Sequence, residues 1–199
     1  MKFFLPQRHS TAPDGRNNFA STAEIEEAFG AQQDLLFWLA LMITGDDEAA
    51  RGCIIGASGL APQSAGVFRD WLDEWARSAT VRFAVTEARS QIAEAARAYR
   101  GLSCSHAEGH PTLSAEDLHA LRTSNPQILL SSLDPLARAV LVLRGVRRAA
   151  IQDCALSLGV SRGTVLAAYC RATTWRSQAP AEFANTLVFP FEANSVERP

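Results

Sequence analysis

The sequence predicts an all-α protein built from two small helical domains that are joined by a linker. Apolar residues make up 47% of the 199 residues and charged residues 20%, which allows a buried core and excludes general disorder. Apolar side chains recur at helical spacing in several segments, and alternation is weak and confined to NTLVFPF near the C-terminus. We therefore divide the chain into a flexible N-terminal arm (1–20), a first helical domain (21–100), a linker (101–113), a second helical domain (114–179) and a C-terminal tail (180–199).

The first domain begins with three helical signals. Ser21 and Glu24 have the spacing of a capping box, in which each residue satisfies a backbone amide of the other, and this predicts a helix start. A second helix starts near Asp34 and ends at the TGDD motif, and a third covers about residues 46–55.

The segment VFRDWLDEWARSA carries the strongest amphipathic stripe of the chain. Its apolar members are Phe68, Trp71, Leu72, Trp75 and Ala79. Arg69 and Arg77 together with the two tryptophans could bind single-stranded DNA, since bases stack on aromatic rings. Because Trp71 and Trp75 belong to the apolar stripe, however, core packing is the favoured interpretation.

Charge is distributed unevenly between the two halves. Residues 21–80 hold ten acids and three arginines, a balance of −7, whereas residues 134–179 hold seven arginines and two acids, a balance of +5. Only the second half is therefore expected to be attracted to phosphate.

The four cysteines, Cys53, Cys104, Cys154 and Cys170, form no CxxC pair, which predicts buried, reduced thiols. The CSHAEGH segment brings Cys104 close in sequence to two histidines, with His119 nearby. It lacks the paired spacing of a zinc site, so we predict no metal.

Neither a secretion signal nor a catalytic constellation is evident. The N-terminal MKFFLPQRHS contains too few consecutive apolar residues for a signal peptide, and no 18-residue apolar run follows. We therefore expect a cytoplasmic protein without membrane insertion. The acids at 46–48 suit a helix N-terminus better than acid–base chemistry. We predict no enzyme and no cofactor.

Residues 151–172, IQDCALSLGVSRGTVLAAYCRA, meet the requirements of a helix-turn-helix unit. Gly159 can adopt the left-handed conformation that ends a helix, Val160 fills the turn and Ser161 can cap the second helix. The residues predicted to face inward are Ile151, Cys154, Ala155, Leu158, Val165, Tyr169 and Ala172. A plain helical hairpin within a bundle would show the same apolar spacing.

Residues 133–172 resemble region 4 of the sigma-70 family of RNA polymerase sigma factors, in the extracytoplasmic-function group. The resemblance rests on the leucine-proline opening, the VLVLR segment and the later LGVS, GTV and RA segments. LALMITGD (39–46) and FRDWLDEWAR (68–77) similarly resemble two pieces of region 2. The first domain is thus region-2-like and the second region-4-like.

The resemblance implies a transcription regulator that binds promoter DNA through its C-terminal helix-turn-helix. Core RNA polymerase would be bound by region 2, and an anti-sigma or other protein partner is a further expectation. The residues expected at the DNA are Arg147, Arg148, Ser161, Arg162, Thr164 and Arg171.

Two departures from the family pattern support an alternative. The helix after the TGD turn reads ARGCIIGASGL, without the family's acids, and Leu166, Ala167 and Ala168 replace the polar and basic residues that usually follow GTV. The alternative is a degenerate, sigma-derived module that binds a protein and hardly recognises DNA. Its predicted partner face consists of Leu166, Ala167 and Cys170.

Overall fold

The computed structural model describes residues 18–60, 66–102 and 126–178, together with Leu113, Glu116 and His119. Over these residues the all-α prediction is confirmed, because they form helices and no strand, with one isolated bridge between Phe19 and Phe68. The predictions for most of the N-terminal arm, the CSHAEGH segment and the C-terminal tail lie outside the described residues.

The described residues of the first half form five α-helices and a short 3₁₀ turn. They are α1 (Thr22–Ala31), α2 (Gln33–Thr44), α3 (Asp47–Ser58), the 3₁₀ turn (Arg69–Trp71), α4 (Leu72–Glu87) and α5 (Arg89–Arg97). The predicted capping box is present: Ser21 Oγ accepts a hydrogen bond from the Glu24 amide at 3.3 Å, and the Glu24 carboxylate accepts one from the Ser21 amide at 2.7 Å. Asp46 caps α3 through the Ala49 amide at 2.8 Å.

The second half contains four described α-helices and one π-helix. They are α6 (Pro126–Ser132), α7 (Pro135–Val140), the π-helix (Leu141–Val146), α8 (Ile151–Leu158) and α9 (Arg162–Gln178). Asp134 caps α7, since its Oδ1 accepts a hydrogen bond from the Ala137 amide at 3.0 Å, and Pro135 stands in the first turn, where no amide hydrogen is needed. None of the described helices combines the length and the apolarity needed to cross a membrane.

One buried cluster runs through both halves. It contains Leu39 and Ile43 of α2, Ile92 of α5, Val140 of α7 and Val165 of α9, each at most 1% exposed. A smaller cluster packs α1 against α2, α3 and α4. The described helices of the two halves therefore share a core, while the division of the chain into domains stays a prediction.

Arg138 lies in this shared core, 7% exposed, and binds backbone oxygen atoms of both halves. Its Nε donates to the Met42 carbonyl at 3.0 Å, and its Nη1 donates to the Leu130 and Leu133 carbonyls, both at 3.1 Å. The Met42 and Leu130 carbonyls belong to the last turns of α2 and α6, where no further helical amide follows to bond with them, and Leu133 comes directly after α6. Burial lowers the pKa of Arg138, and Asp134 opposes this effect.

A second link joins Tyr99, just after α5, to the start of α7. Tyr99 is buried, and its hydroxyl donates a hydrogen bond of 2.5 Å to Asp134 Oδ2. Burial first, and the Asp134 carboxylate second, raise the pKa of Tyr99 above its ordinary value.

The predicted core packing of Trp71 is wrong, because its side chain is 69% exposed. The periodicity assumed one helix from Phe68 onward, but α4 begins only at Leu72 and Trp71 ends the 3₁₀ turn. Trp75, within α4, is half-buried and packs edge-to-face on Phe29 at 6.0 Å between ring centres.

Candidate nucleic-acid interface

Helices α8 and α9 and the turn between them have the predicted helix-turn-helix connection. Gly159 has φ 66°, in the left-handed region, and the Val160 amide returns to the Ala155 carbonyl at 3.1 Å. Ser161 Oγ then accepts a hydrogen bond from the Thr164 amide at 3.1 Å and lies 2.9 Å from Thr164 Oγ1. The turn therefore ends one helix and caps the next with the residues predicted to do so.

The inner faces of the two helices are closed, as the pattern predicted. The buried residues of this unit include Cys154, Ala155, Leu158, Val165, Tyr169 and Ala172. Ile151, also predicted to face inward, is half-buried. Helix α9 packs against α7, α8 and the π-helix, so more than one of its faces is covered.

The N-terminal end of α9 is open to solvent. Ser161, Arg162 and Gly163 are exposed, and Thr164 is half-buried. A groove of about 410 Å³ lies beside this end. Its lining consists of Gln152, Ala155, Leu156, Gly159, Val160, Ser161 and Arg162. An exposed helix N-terminus that carries hydroxyls and a guanidinium has the donors that base edges and phosphates accept.

The two arginines before α8 differ in their surroundings. Arg147 is mostly covered, with 17% of its side chain exposed, and its Nη2 bonds to the Glu74 carboxylate and to Ser78 Oγ at 2.8 Å. Arg148 has φ 55°, a left-handed conformation that few residues other than glycine adopt, and is exposed. Only Arg148 of this pair is presented to solvent as a DNA contact requires.

Arg171 lies near a carboxylate of the same half. Its Nε is 3.5 Å from Asp134 Oδ2, and 60% of its side chain is exposed. It follows Arg162 by nine residues, which places the two about 13 Å apart along the helix axis. The predicted DNA-binding residues thus divide into a group at the open N-terminal end of α9, the exposed Arg148 before α8, and two arginines, Arg147 and Arg171, that already lie near a carboxylate.

The predicted partner face on α9 is not an exposed surface. Ala167 is buried at 9% exposure, and Leu166 and Cys170 are half-buried. The interpretation was wrong on exposure because it assumed that α9 is covered on one side only.

The cysteines follow the prediction in part. Cys53 and Cys154 are buried free thiols, and burial raises the pKa of both, that of Cys53 to about 11. Cys170 is disulfide-bonded rather than reduced, and Cys104 lies outside the described residues. Within the part of the chain that the structure describes, no cluster of histidine, cysteine and acidic side chains could hold a metal ion.

Sequence reasoning missed Leu156, which is 72% exposed on α8 and lines the groove beside Arg162. Helical periodicity could have identified it, because Leu156 does not lie on the inward-facing side of α8 that Cys154, Ala155 and Leu158 form.

Comparison of the chain with models of protein families, with curated proteins and with solved structures finds no match. The resemblance to the sigma-70 family therefore stays a prediction that rests on the sequence motifs alone.

Proposed function

We propose that the protein is a sigma-like transcription regulator that binds promoter DNA through the N-terminal end of α9. One observation carries this proposal: Ser161 and Arg162 are exposed at a capped helix start while Val165, Tyr169 and Ala172, on the inner side, are buried. A helix whose inner face is packed against other helices, and whose exposed N-terminal end is polar and cationic, has the form that enters the major groove.

The number of available cations among the described side chains limits the affinity that we expect of this site. Arg148 and Arg162 are exposed, whereas Arg147 bonds to Glu74 and Arg171 lies 3.5 Å from Asp134. Two to four phosphate contacts would give a slope of about −2 to −4 in a plot of log affinity against log salt concentration. Binding is therefore expected to be modest and strongly sensitive to salt.

The test is a salt titration of binding to a pool of promoter fragments. We expect the double variant Arg148→Ala, Arg162→Ala to bind more weakly and to reduce the salt slope by about two, since each phosphate contact contributes about 0.9. The matched control is Arg82→Ala, Arg89→Ala, which removes two exposed arginines from α4 and α5. Equal losses in both double variants would contradict a site on α9.

We also propose core RNA polymerase as a partner, which implies a site of action in the cytoplasm. The support is the sequence resemblance of the TGD and tryptophan segments to region 2. A pull-down with purified core enzyme tests it, and absence of retention would leave DNA binding as the whole of the proposal.

The second candidate function, a protein-interaction module, is favoured by the exposure of Leu156. An apolar residue that is 72% exposed beside an open groove can bury apolar surface against a protein partner, whereas it has no charge or hydrogen-bonding group for DNA. The substitution Leu156→Asp separates the two functions. It would abolish binding of a protein partner, whereas Arg162→Ala would mainly weaken binding of DNA.

A further inference from the structure

Three exposed aromatic rings form a patch on the first half of the molecule. We call Phe19, Phe68 and Trp71 the aromatic patch; their side chains are 41%, 46% and 69% exposed. The ring centres of Phe19 and Phe68 are 4.7 Å apart, and those of Phe68 and Trp71 are 6.0 Å apart. Large aromatic side chains in contact with one another and with water mark an interaction surface more often than isolated ones do.

The backbone fixes the position of the aromatic patch. The Ala20 amide donates to the Val67 carbonyl at 2.7 Å, so the segment before α1 is paired with the segment before α4. Gly66 has φ 49°, and a side chain there would clash with the Phe19 ring. Arg69 lies between Phe68 and Trp71 in the sequence, and its Nε is 2.8 Å from Glu24 Oε1.

The charged groups around the aromatic patch are mainly acidic. On α1 and over residues 69–78 the carboxylates are Glu24, Glu26, Glu27, Asp70, Asp73 and Glu74, and the bases in these two segments or bound to them are Arg69, Arg77 and Arg147. Each of the three arginines lies within 4 Å of one of these carboxylates. Asp70 is exposed and precedes Trp71 directly. Among the described residues, these six carboxylates and three carboxylate-bound arginines leave the surroundings of the aromatic patch negative.

This charge decides between the ligands that exposed aromatic rings can bind. Single-stranded nucleic acid stacks on such rings, but it requires a positive surface for its phosphates, and the described residues around the patch form none. A second copy of the chain would bring two negative surfaces together. A cation gains from both features, because it is attracted to the face of a tryptophan ring and to a neighbouring carboxylate.

We propose that the aromatic patch binds a cationic segment of a partner protein, with an arginine or lysine side chain placed over Trp71 and paired with Asp70. This site goes beyond the proposed DNA binding and shares no residue with it. The phenylalanine rings would bury an apolar side chain adjacent to that cation. Tryptophan is the ring that attracts cations most strongly, and tryptophan and arginine are enriched among the residues that dominate interfaces.

The experiment titrates the full chain calorimetrically with two capped peptides, one of alternating arginine and phenylalanine and one with glutamate in place of arginine. We expect the arginine peptide to bind about tenfold more tightly or better, and Trp71→Ala and Asp70→Asn each to weaken it about fivefold. The controls are Ile55→Ala, another exposed apolar residue, and Asp34→Asn, another exposed acid. Both controls should leave the affinity unchanged.

Three results would overturn the proposal. They are equal affinity for the two peptides, tighter binding of a thymidine oligonucleotide than of the arginine peptide, and a dimer in sedimentation that Trp71→Ala dissociates. If Trp71→Ala does not fold, the exposed substitution Asp70→Lys decides, because reversing that charge must remove the preference for the arginine peptide. None of these variants alters the residues tested for DNA binding, so either proposal can fail without the other.

Discussion

Two arginines connect the second half of the molecule to the first, and they do so in different surroundings. Arg138 is buried and donates three hydrogen bonds to carbonyls at the ends of α2 and α6. Arg147 is mostly covered but bonds to Glu74, a carboxylate whose side chain is 59% exposed, and to Ser78. The first link lacks water as an alternative partner, whereas water and salt compete with the second.

The difference shows why the basic character of the second half is a poor guide to its function. Residues 134–179 hold seven arginines, but Arg138 supports the fold and Arg147 joins the halves. Exposure and the absence of a nearby carboxylate, more than sequence charge, identify Arg148 and Arg162 as cations available for phosphate among the described side chains. If burial governs the two links, removing them should have effects of very different size.

The largest effect is expected from Arg138→Leu. This change leaves the carbonyls of Met42, Leu130 and Leu133 without the donor that the structure gives them, and it should lower the free energy of unfolding by about 3–5 kcal/mol. Urea unfolding measures it. The control Arg82→Ala, at an exposed position of α4, should change stability by less than about 0.5 kcal/mol. A loss below about 1 kcal/mol for Arg138→Leu would contradict the importance of burial.

Gly45→Ala should have the next largest effect, because a side chain at this position would displace the buried Arg138. Gly45 has φ 76°, and a Cβ atom there would lie 2.7 Å from Arg138 Nη2. We expect a loss of about 2–4 kcal/mol, composed of backbone strain and displacement of the guanidinium.

Gly101→Ala is the matched control, since Gly101 has φ 77° and a Cβ atom there would meet open space. It should lose only the strain component, about 1–2 kcal/mol. In the Arg138→Leu background the two glycine substitutions should become similar. If the stability losses of the two glycine substitutions differ as much in that background as in the wild type, the clash with Arg138 is unimportant.

Tyr99→Phe should cost about 1–2 kcal/mol at neutral pH, because Asp134 loses a hydrogen bond but keeps the Ala137 amide. The folded state raises the pKa of Tyr99, so the unfolded chain releases this proton first and stability falls as the pH rises above about 10. Unfolding measured between about pH 9 and 11 should show a smaller alkaline loss in Tyr99→Phe than in the wild type. The raised pKa values of Tyr169, Cys53 and Cys154 contribute to the alkaline loss that remains in the variant.

Glu74→Gln should have the smallest effect, at most about 1 kcal/mol, because exposed ion pairs contribute little. High salt should reduce the difference between this variant and the wild type further. A loss as large as that of Arg138→Leu would mean that the two links are equivalent, and the comparison would then fail.

Local signals in the sequence predicted the starts and ends of helices well. The capping box at Ser21, the Asp134 cap before Pro135 and the left-handed Gly159 all depend on residues within four positions of one another. The inward residues of α8 and α9 followed from helical periodicity for the same reason.

Contacts between distant residues could not be predicted in this way. Arg138 bonds to a carbonyl 96 positions away, and nothing near it in the sequence indicates that partner. Ala167 is covered because α9 meets several helices, which depends on the tertiary arrangement. Trp71 was assigned to the core because the periodicity was extended one turn beyond the true start of α4.

The π-helix between α7 and α8 has a consequence for orientation. Its backbone bonds reach five residues back, as from the Arg147 amide to the Val142 carbonyl at 2.9 Å, so the turn contains one residue more than an α-turn. Each residue rotates an α-helix by about 100°, and a single extra residue therefore sets the angle at which the chain enters the helix-turn-helix. Deleting one residue from Leu141–Val146 would rotate Arg147 away from Glu74 and turn the leading end of α9 in a new direction.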